Sequence, residues 1–245
     1  MCGRYTLTTP LEGIRQLFEV HSDLNLPPRY NIAPTQKLPV VRWQAGEKNQ
    51  KSLALLRWGL IPSWAKDATI ASKLINARAD TIGEKASFRR AFRKRRCLVP
   101  ANGFYEWKTI NGVKQPFYIS RAENELFAFA GLWESWENPE DGEVWETFCI
   151  ITTDAAPSIA MIHHRMPVIL PARTHDRWLA DDTEKDILQG LLTSFAEEPL
   201  TATPVSRRVN KVANDDVDLI APLTLEEPDE KLSENQTTPR QGELF

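Results

Sequence analysis

Cysteine is scarce in this chain. Three cysteines in 245 residues, Cys2, Cys97 and Cys149, match neither cystine pairs nor a metal-ligand cluster in their spacing, which argues against a disulfide framework and a zinc site. No apolar run approaches the roughly 20 residues that a membrane-spanning helix needs. The first ten residues lack a basic segment followed by an apolar stretch, so no signal peptide is expected. No internal repeat is visible. An excess of one charge sign is also missing: Lys and Arg total 30 against 33 Asp and Glu, a net charge of −3. That balance argues against wholesale coating of nucleic acid but leaves room for a local basic groove. With 42% hydrophobic and 26% charged residues, the composition is that of a soluble globular protein in a reducing, cytoplasmic setting.

Against that background Cys2 stands out, directly behind the initiator in Met1-Cys2-Gly3-Arg4-Tyr5. Once Met1 is removed, Cys2 offers an α-amine and a thiol on adjacent carbons. An internal cysteine cannot, because its nitrogen is held in an amide. An α-amine titrates near 7.7–8.0 and a lysine near 10.4, so at neutral pH the reactive amine fraction is about 300-fold larger at the terminus. Such an amine can condense with an aldehyde, and the thiol can then close a thiazolidine ring. Alternatively the thiol can attack an acyl carbon with the amine as its base. A small buried hydrophobe is the third possibility for a cysteine near the start of a chain.

Along the chain, residues 2–8 read as a short strand. Thr9-Pro10-Leu11-Glu12 then combines a capping-box spacing with proline at the first helical position. Leu11, Ile14, Leu17 and Phe18 recur at helical spacing and predict a helix to about Phe18. Pro27 and Pro28 predict an irregular loop over 29–34. Strands are predicted at 38–43, 52–58, 97–99, 103–108, 115–120, 126–133, 145–152 and 167–170, and helices near 85–94, 174–181 and 184–195. Many short strands with few helices indicate an α+β fold: one domain with a curved, mostly antiparallel sheet and peripheral helices. It is expected to span residues 2–221. Residues 222–245, rich in Glu, Pro, Asp, Asn, Gln and Thr, are expected to form a disordered tail.

Four polar islands interrupt this pattern: Cys2-Gly3-Arg4, Asn76-Ala77-Arg78-Ala79-Asp80, Gly103-Phe104-Tyr105-Glu106-Trp107-Lys108 and His163-His164-Arg165-Met166-Pro167. Glu106 sits in an aromatic strand, where burial would raise its pKa and suit proton transfer; strand alternation equally allows a solvent-facing glutamate. His163 and His164 precede a proline-broken strand, a setting for a structural or a catalytic histidine. Asn76 is a site residue or a turn former. Arg89-Arg90-Ala91-Phe92-Arg93-Lys94-Arg95-Arg96 either flanks a DNA channel, with Ala91 and Phe92 inward, or is a solvated helix face.

Met-Cys-Gly-Arg-Tyr, Arg-Tyr-Asn-Ile-Ala-Pro, Trp-Gly-Leu-Ile-Pro-Ser-Trp, Ile-Asn-Ala-Arg-Ala-Asp, Gly-Phe-Tyr-Glu-Trp-Lys, Ile-His-His-Arg-Met-Pro and Pro-Val-Ser occur in this order between residue 1 and about 215. Together they resemble the SOS-response-associated peptidase (SRAP), or abasic-site processing, family. The resemblance implies that Cys2 is a nucleophile exposed by Met1 removal and cross-links the aldehyde of an abasic site in single-stranded DNA as a thiazolidine. It implies that Asn76 orients the amine or sugar, that Glu106 is a general acid/base, and that His163 holds the sugar or phosphate; His164 is left out. It further implies Arg4, Arg78 and Arg165 as phosphate clamps, Trp64 and Pro34 as a wedge between flanking bases, no cofactor, no metal, and nucleoid association during repair if the source is bacterial. The "peptidase" in the family name leaves open whether other proteins are cleaved or only residues ahead of Cys2. An N-terminal-nucleophile amidotransferase and a non-enzymatic binder of single-stranded DNA are the rival classes. Finally, Gln241-Gly242-Glu243-Leu244-Phe245 resembles the Gln-x-x-Leu-Phe pattern of peptides that dock on a replication sliding clamp, with Gln241, Leu244 and Phe245 as contacts.

Overall fold

In the computed structural model, residues 2–44, 50–193 and 199–224 are described. The terminal segment with Gln241, Leu244 and Phe245 lies outside the described residues. In chain order the strands are β1 (Tyr5–Leu7), β2 (Arg29–Ile32), β3 (Lys37–Trp43), β4 (Lys51–Trp58), β5 (Asn76–Arg78), β6 (Arg96–Ala101) and β7 (Gly103–Ile110). They continue with β8 (Val113–Ser120), β9 (Phe127–Glu137), β10 (Val144–Asp154), β11 (Arg165–Pro167), β12 (Ile169–Leu170) and β13 (Thr201–Pro204). The helices are α1 (Leu11–Phe18), α2 (Arg89–Lys94), α3 (Pro157–Ala160), α4 (His175–Leu179) and α5 (Lys185–Leu191).

All eight predicted strand runs are strands, the last divided between β11 and β12, and the α+β, mostly antiparallel class holds. The strands form two sheets. One is open, in the order β13-β8-β7-β1-β2. In the other, β10-β4-β3-β6-β9 closes on itself through the β9–β10 pairing, giving a five-stranded barrel with β5, β11 and β12 attached. Closure leaves these five strands few free edges, the groups that would otherwise invite pairing with another chain.

Aromatic rings join the two sheets. Tyr5 of β1 meets Trp58 and Phe129 of the barrel edge-on at 5.3 and 5.9 Å, and Phe104 of β7 meets Phe129 at 6.0 Å. Such pairs each contribute about 0.5–1.5 kcal/mol beyond their burial, so the N-terminal strand is fixed against the barrel. Gly103 begins β7 because a Cβ there would lie 2.4 Å from the Tyr118 ring of β8.

Two local expectations are corrected. The 29–34 segment is not wholly irregular: Arg29–Ile32 pairs with β1, and Asp215 accepts the N–H groups of Tyr30 (2.5 Å) and Asn31 (2.9 Å). The two prolines precede the strand without entering it, and the carboxylate partners are some 185 residues away in sequence. The capping box at α1 is not formed either. Pro10 is the N-cap and has no side-chain cap bond. Thr9 instead accepts from Asn102 Nδ2 at 2.8 Å, while Asn102 Oδ1 receives the N–H groups of Thr8 and Thr9. Among the described residues no helix is long and apolar enough to cross a membrane.

Candidate functional site

The β1–β7 register brings the N-terminus to Glu106. Tyr5 lies opposite Phe104, and Tyr105 N–H donates to Arg4 O at 3.0 Å, so the residues ahead of β1 run beside the middle of β7. Both faces of β7 are covered: Phe104 belongs to the main core, and Tyr105 to a second cluster with Tyr118, Val205, Val209 and Leu219. Glu106, on the Phe104 side, is therefore 3% exposed. The solvent-facing alternative is overturned because this strand has no solvent face at that position.

Cys2 is fully buried, with its thiol donating weakly to Arg4 O at 3.7 Å. Asn76 opens β5, which runs parallel to β10 with Asn76 beside Ile150. Its Nδ2 donates to Cys2 O at 2.8 Å, while its buried Oδ1 accepts no hydrogen bond among the described residues. Asn76 is thus a clamp on the Cys2 backbone rather than a turn former. His163 precedes β11, and Arg165 N–H donates to its Nδ1 at 3.0 Å. The same Nδ1 lies 3.0 Å from Arg165 O, so the ring is held against the Arg165 backbone. His164 stacks on His163 with ring centroids 4.5 Å apart.

Burial raises the Glu106 pKa above the ordinary carboxylate range, and the positive amino terminus, His163 and His164 pull it partly back. Burial also drives the Cys2 thiol far above its usual value, and the Glu106 charge adds to the rise. The two groups therefore sense each other, and Glu106 senses both histidines. The resting state favours a neutral thiol over a thiolate, an arrangement suited to an amine that reacts first and a thiol that follows.

The three predicted arginines differ. Arg78 is exposed and pairs with Asp80 at 2.6 Å. Arg4 is half-buried and donates to Asn31 Oδ1 (2.7 Å) and Val209 O (2.6 Å). Arg165 is 4% exposed and tied to Asp154 (2.9 Å) and Thr152 O (2.5 Å). Geometrically, Arg4 and Arg165 brace the site, while Arg78 faces outward.

Trp64 is 59% exposed, and Pro34 is half-buried in a neighbouring loop. Thr35 N–H donates to Trp58 O and Trp58 N–H to Gln36 O, which ties the Pro34 loop to the end of β4. Gly59, at φ +123°, then turns the chain into the Trp64 loop, and Thr35 adopts φ 76°. A β-branched residue there is strained, and strain of this kind is held by surrounding structure at functional loops. Trp58 is core; Trp107 is half-buried and donates to Asn210 Oδ1 at 2.9 Å.

Asn31 lies within the Arg-Tyr-Asn-Ile-Ala-Pro run, but the sequence assigned it no role. Fully buried, it accepts from Arg4 and donates to the carbonyls of Val209, Lys211 and Asn214, strapping the 207–214 segment over the N-terminal strand. Nothing local in the sequence marks a contact made across some 180 residues.

Comparison with known proteins follows the same outline. Residues 1–212 match the SOS response associated peptidase (SRAP) family. The chain is 41% identical over 227 residues to Abasic site processing protein YoqW of Bacillus subtilis, covering 90% of this chain and 99% of that protein. It is 33% identical to Abasic site processing protein HMCES of Gallus gallus, covering 89% of this chain and 73% of that protein. A crystal structure of a protein from Bacteroides thetaiotaomicron superposes with a TM-score of 0.83 at 30% identity, covering 91% of this chain and all of that one.

Proposed function

The chain belongs to the SOS response associated peptidase (SRAP) family, and from that premise we propose that it processes abasic sites in single-stranded DNA by cross-linking them to Cys2. Removal of Met1 frees the Cys2 amine. The amine attacks C1′ of the ring-opened deoxyribose, forming a C–N bond, and the carbonyl oxygen becomes a carbinolamine hydroxyl. Glu106, whose pKa burial raises, acts in its protonated form and gives its proton to that hydroxyl, which leaves as water, and an iminium remains. The Cys2 sulfur then attacks the same carbon, its proton passing to the Glu106 carboxylate, and the five-membered thiazolidine closes. Asn76 holds the Cys2 carbonyl and offers its buried Oδ1 to the new amine. His163 holds the sugar hydroxyl or phosphate, Arg78 takes a flanking phosphate, and Trp64 with Pro34 keeps the neighbouring bases apart.

The observation that carries this reading is the convergence of Cys2, Asn76, Glu106 and His163, from four separate segments, on one buried carboxyl–thiol pair. A neutral resting thiol fits a sulfur that closes the ring after the amine has reacted, and the peptidase activity in this reading is self-processing of residues ahead of Cys2. Denaturing electrophoresis with single-stranded abasic and undamaged oligonucleotides tests the proposal. A protease-sensitive, slow-migrating band with the abasic strand alone supports it, and its absence refutes it.

The tail carries a second, separable proposal: Gln241, Leu244 and Phe245 dock on a replication sliding clamp, raising the local concentration of the domain at forks. A cytoplasmic protein that joins the nucleoid during repair fits both proposals. A fluorescent peptide of residues 232–245 should bind purified clamp, and its Leu244→Ala, Phe245→Ala form should not; equal binding by the two would remove the idea.

A further inference from the structure

We propose that the exposed cationic face of α2, with the cavity beside it, carries the phosphodiester backbone of the DNA strand beyond the nucleotides held at Cys2. This rests on the abasic-DNA reading of the Cys2 site. Ala91 and Phe92 of α2 are buried, while Arg89, Arg90, Arg93 and Lys94 are exposed. At 3.6 residues per turn, those four positions fall within an arc of about 140°. The α-helix thus presents one continuous cationic face.

Several cations elsewhere are held by carboxylates: Arg29 by Asp215, Lys51 by Glu19 and Asp176, Arg208 by Asp216. Among the described residues none of the four α2 cations forms an ion pair. Arg89 and Arg93, and Arg90 and Lys94, stand four apart, where like charges destabilise a helix by about 0.2–0.5 kcal/mol per pair. No carboxylate among the described residues pairs with these four to offset the repulsion; a polyanion would.

Position supplies the second support. Arg90 Nη1 lies 3.3 Å from Ser63 Oγ, next to the exposed Trp64. The 79–88 segment links α2 directly to β5, whose last residue is Arg78, and Gln189 Nε2 holds that segment at Ala79 O (3.0 Å). On its other side, α2 borders a cavity of about 390 Å³ lined by Phe92, Arg93, Lys94, Asp181, Lys185 and Leu188. Three cations against one carboxylate surround an apolar base, the chemistry of a sugar–phosphate site. The surface therefore runs from Arg78 and Trp64 along α2 to Lys185.

α2 is about 9 Å long and spans about two phosphates. Releasing two counterions from a single strand changes the slope of log affinity against log salt by about 1.4. The test compares the wild-type chain with an Arg89→Gln, Arg93→Gln, Lys94→Gln variant, which keeps the Arg90–Ser63 contact. Cross-linking rates at sub-saturating protein are measured on an abasic oligonucleotide of about 7 nucleotides and one of about 25. Anisotropy across a salt series is run on an undamaged strand of about 25 nucleotides.

The wild type should favour the long abasic strand, and the variant should lose that preference while its short-strand rate stays within about twofold. Its anisotropy slope should fall by about 1.4. An unchanged preference and slope would overturn the proposal, as would an equal loss on the short strand. If the wild type cross-links neither strand, the Cys2 reading fails, yet the anisotropy slope still decides whether α2 binds the backbone. The melting temperature of the variant should equal or exceed that of the wild type, because repulsion is relieved. Should the triple variant be misfolded, Arg93→Gln alone must shift the slope by about half as much, and no shift overturns the proposal.

Discussion

Replacing Glu106 with glutamine keeps the shape of a 3%-exposed side chain and removes its capacity to exchange a proton. Packing against the Phe104 side of β7 and the approach to Cys2 should survive, so binding of abasic DNA should change little. Proton transfer is what disappears. General acid/base groups contribute about 10²–10⁴-fold, equivalent to about 2.7–5.4 kcal/mol of barrier. Rapid-quench electrophoresis gives the cross-linking rate, and anisotropy with an uncleavable abasic analogue gives affinity. The pH dependence is a second readout. Burial raises the Glu106 pKa, so its limb in the wild-type rate profile should lie above the ordinary carboxylate range and vanish in Glu106→Gln. Stability carries the same sign. Below about pH 4.3, where an unfolded glutamate is protonated, the charge penalty is absent in both proteins. As pH rises through the raised folded pKa, the wild type loses stability that the glutamine variant keeps. A rate loss under tenfold, or an equal loss of affinity and rate, would show Glu106 to be structural.

Three further outcomes are expected. Asn76→Ala leaves Cys2 O without its 2.8 Å donor; an unmet buried carbonyl costs about 1–3 kcal/mol, so cross-linking should slow by about 5- to 150-fold, with Asn76→Asp failing to rescue it. Arg165→Ala removes a buried guanidinium from Asp154 and Thr152 and should lower the melting temperature, whereas Arg78→Ala, at an exposed site, should leave melting unchanged and reduce the salt slope for single-stranded DNA by about 0.7. Trp64→Ala should weaken binding of single strands by about 1–3 kcal/mol without altering the cross-linking rate at saturation, since base stacking on an exposed ring is lost while the Cys2 site is untouched.

What the sequence revealed followed the range of the interactions. Leu11, Ile14 and Phe18 mark α1 to the residue because helical periodicity is local, and the strand runs survive because alternation and flanking prolines are local too. The motifs around Cys2, Asn76, Glu106 and His163 were legible as islands, but their meeting depended on register: Tyr5 against Phe104, Asn76 against Ile150, Asp154 against Arg165. The strand at Arg29–Ile32 was hidden because Asp215 completes its hydrogen bonding from the far end of the domain. For the same reason three arginines that look alike in sequence separate into one outward cation and two braces. Glu106 illustrates both sides: alternation allowed a solvent-facing position, and only the covering of both faces of β7 decides its burial.

Intact mass spectrometry of the protein mixed with single-stranded abasic DNA tests the central claim most directly. With Met1 removed, the account predicts an adduct equal to protein plus oligonucleotide minus one water, stable without reductant. Cys2→Ser should give an adduct only after borohydride trapping, and a residue retained ahead of Cys2 should give none. An adduct of unchanged yield from protein that keeps Met1, or a reductant-independent adduct from Cys2→Ser, would contradict it.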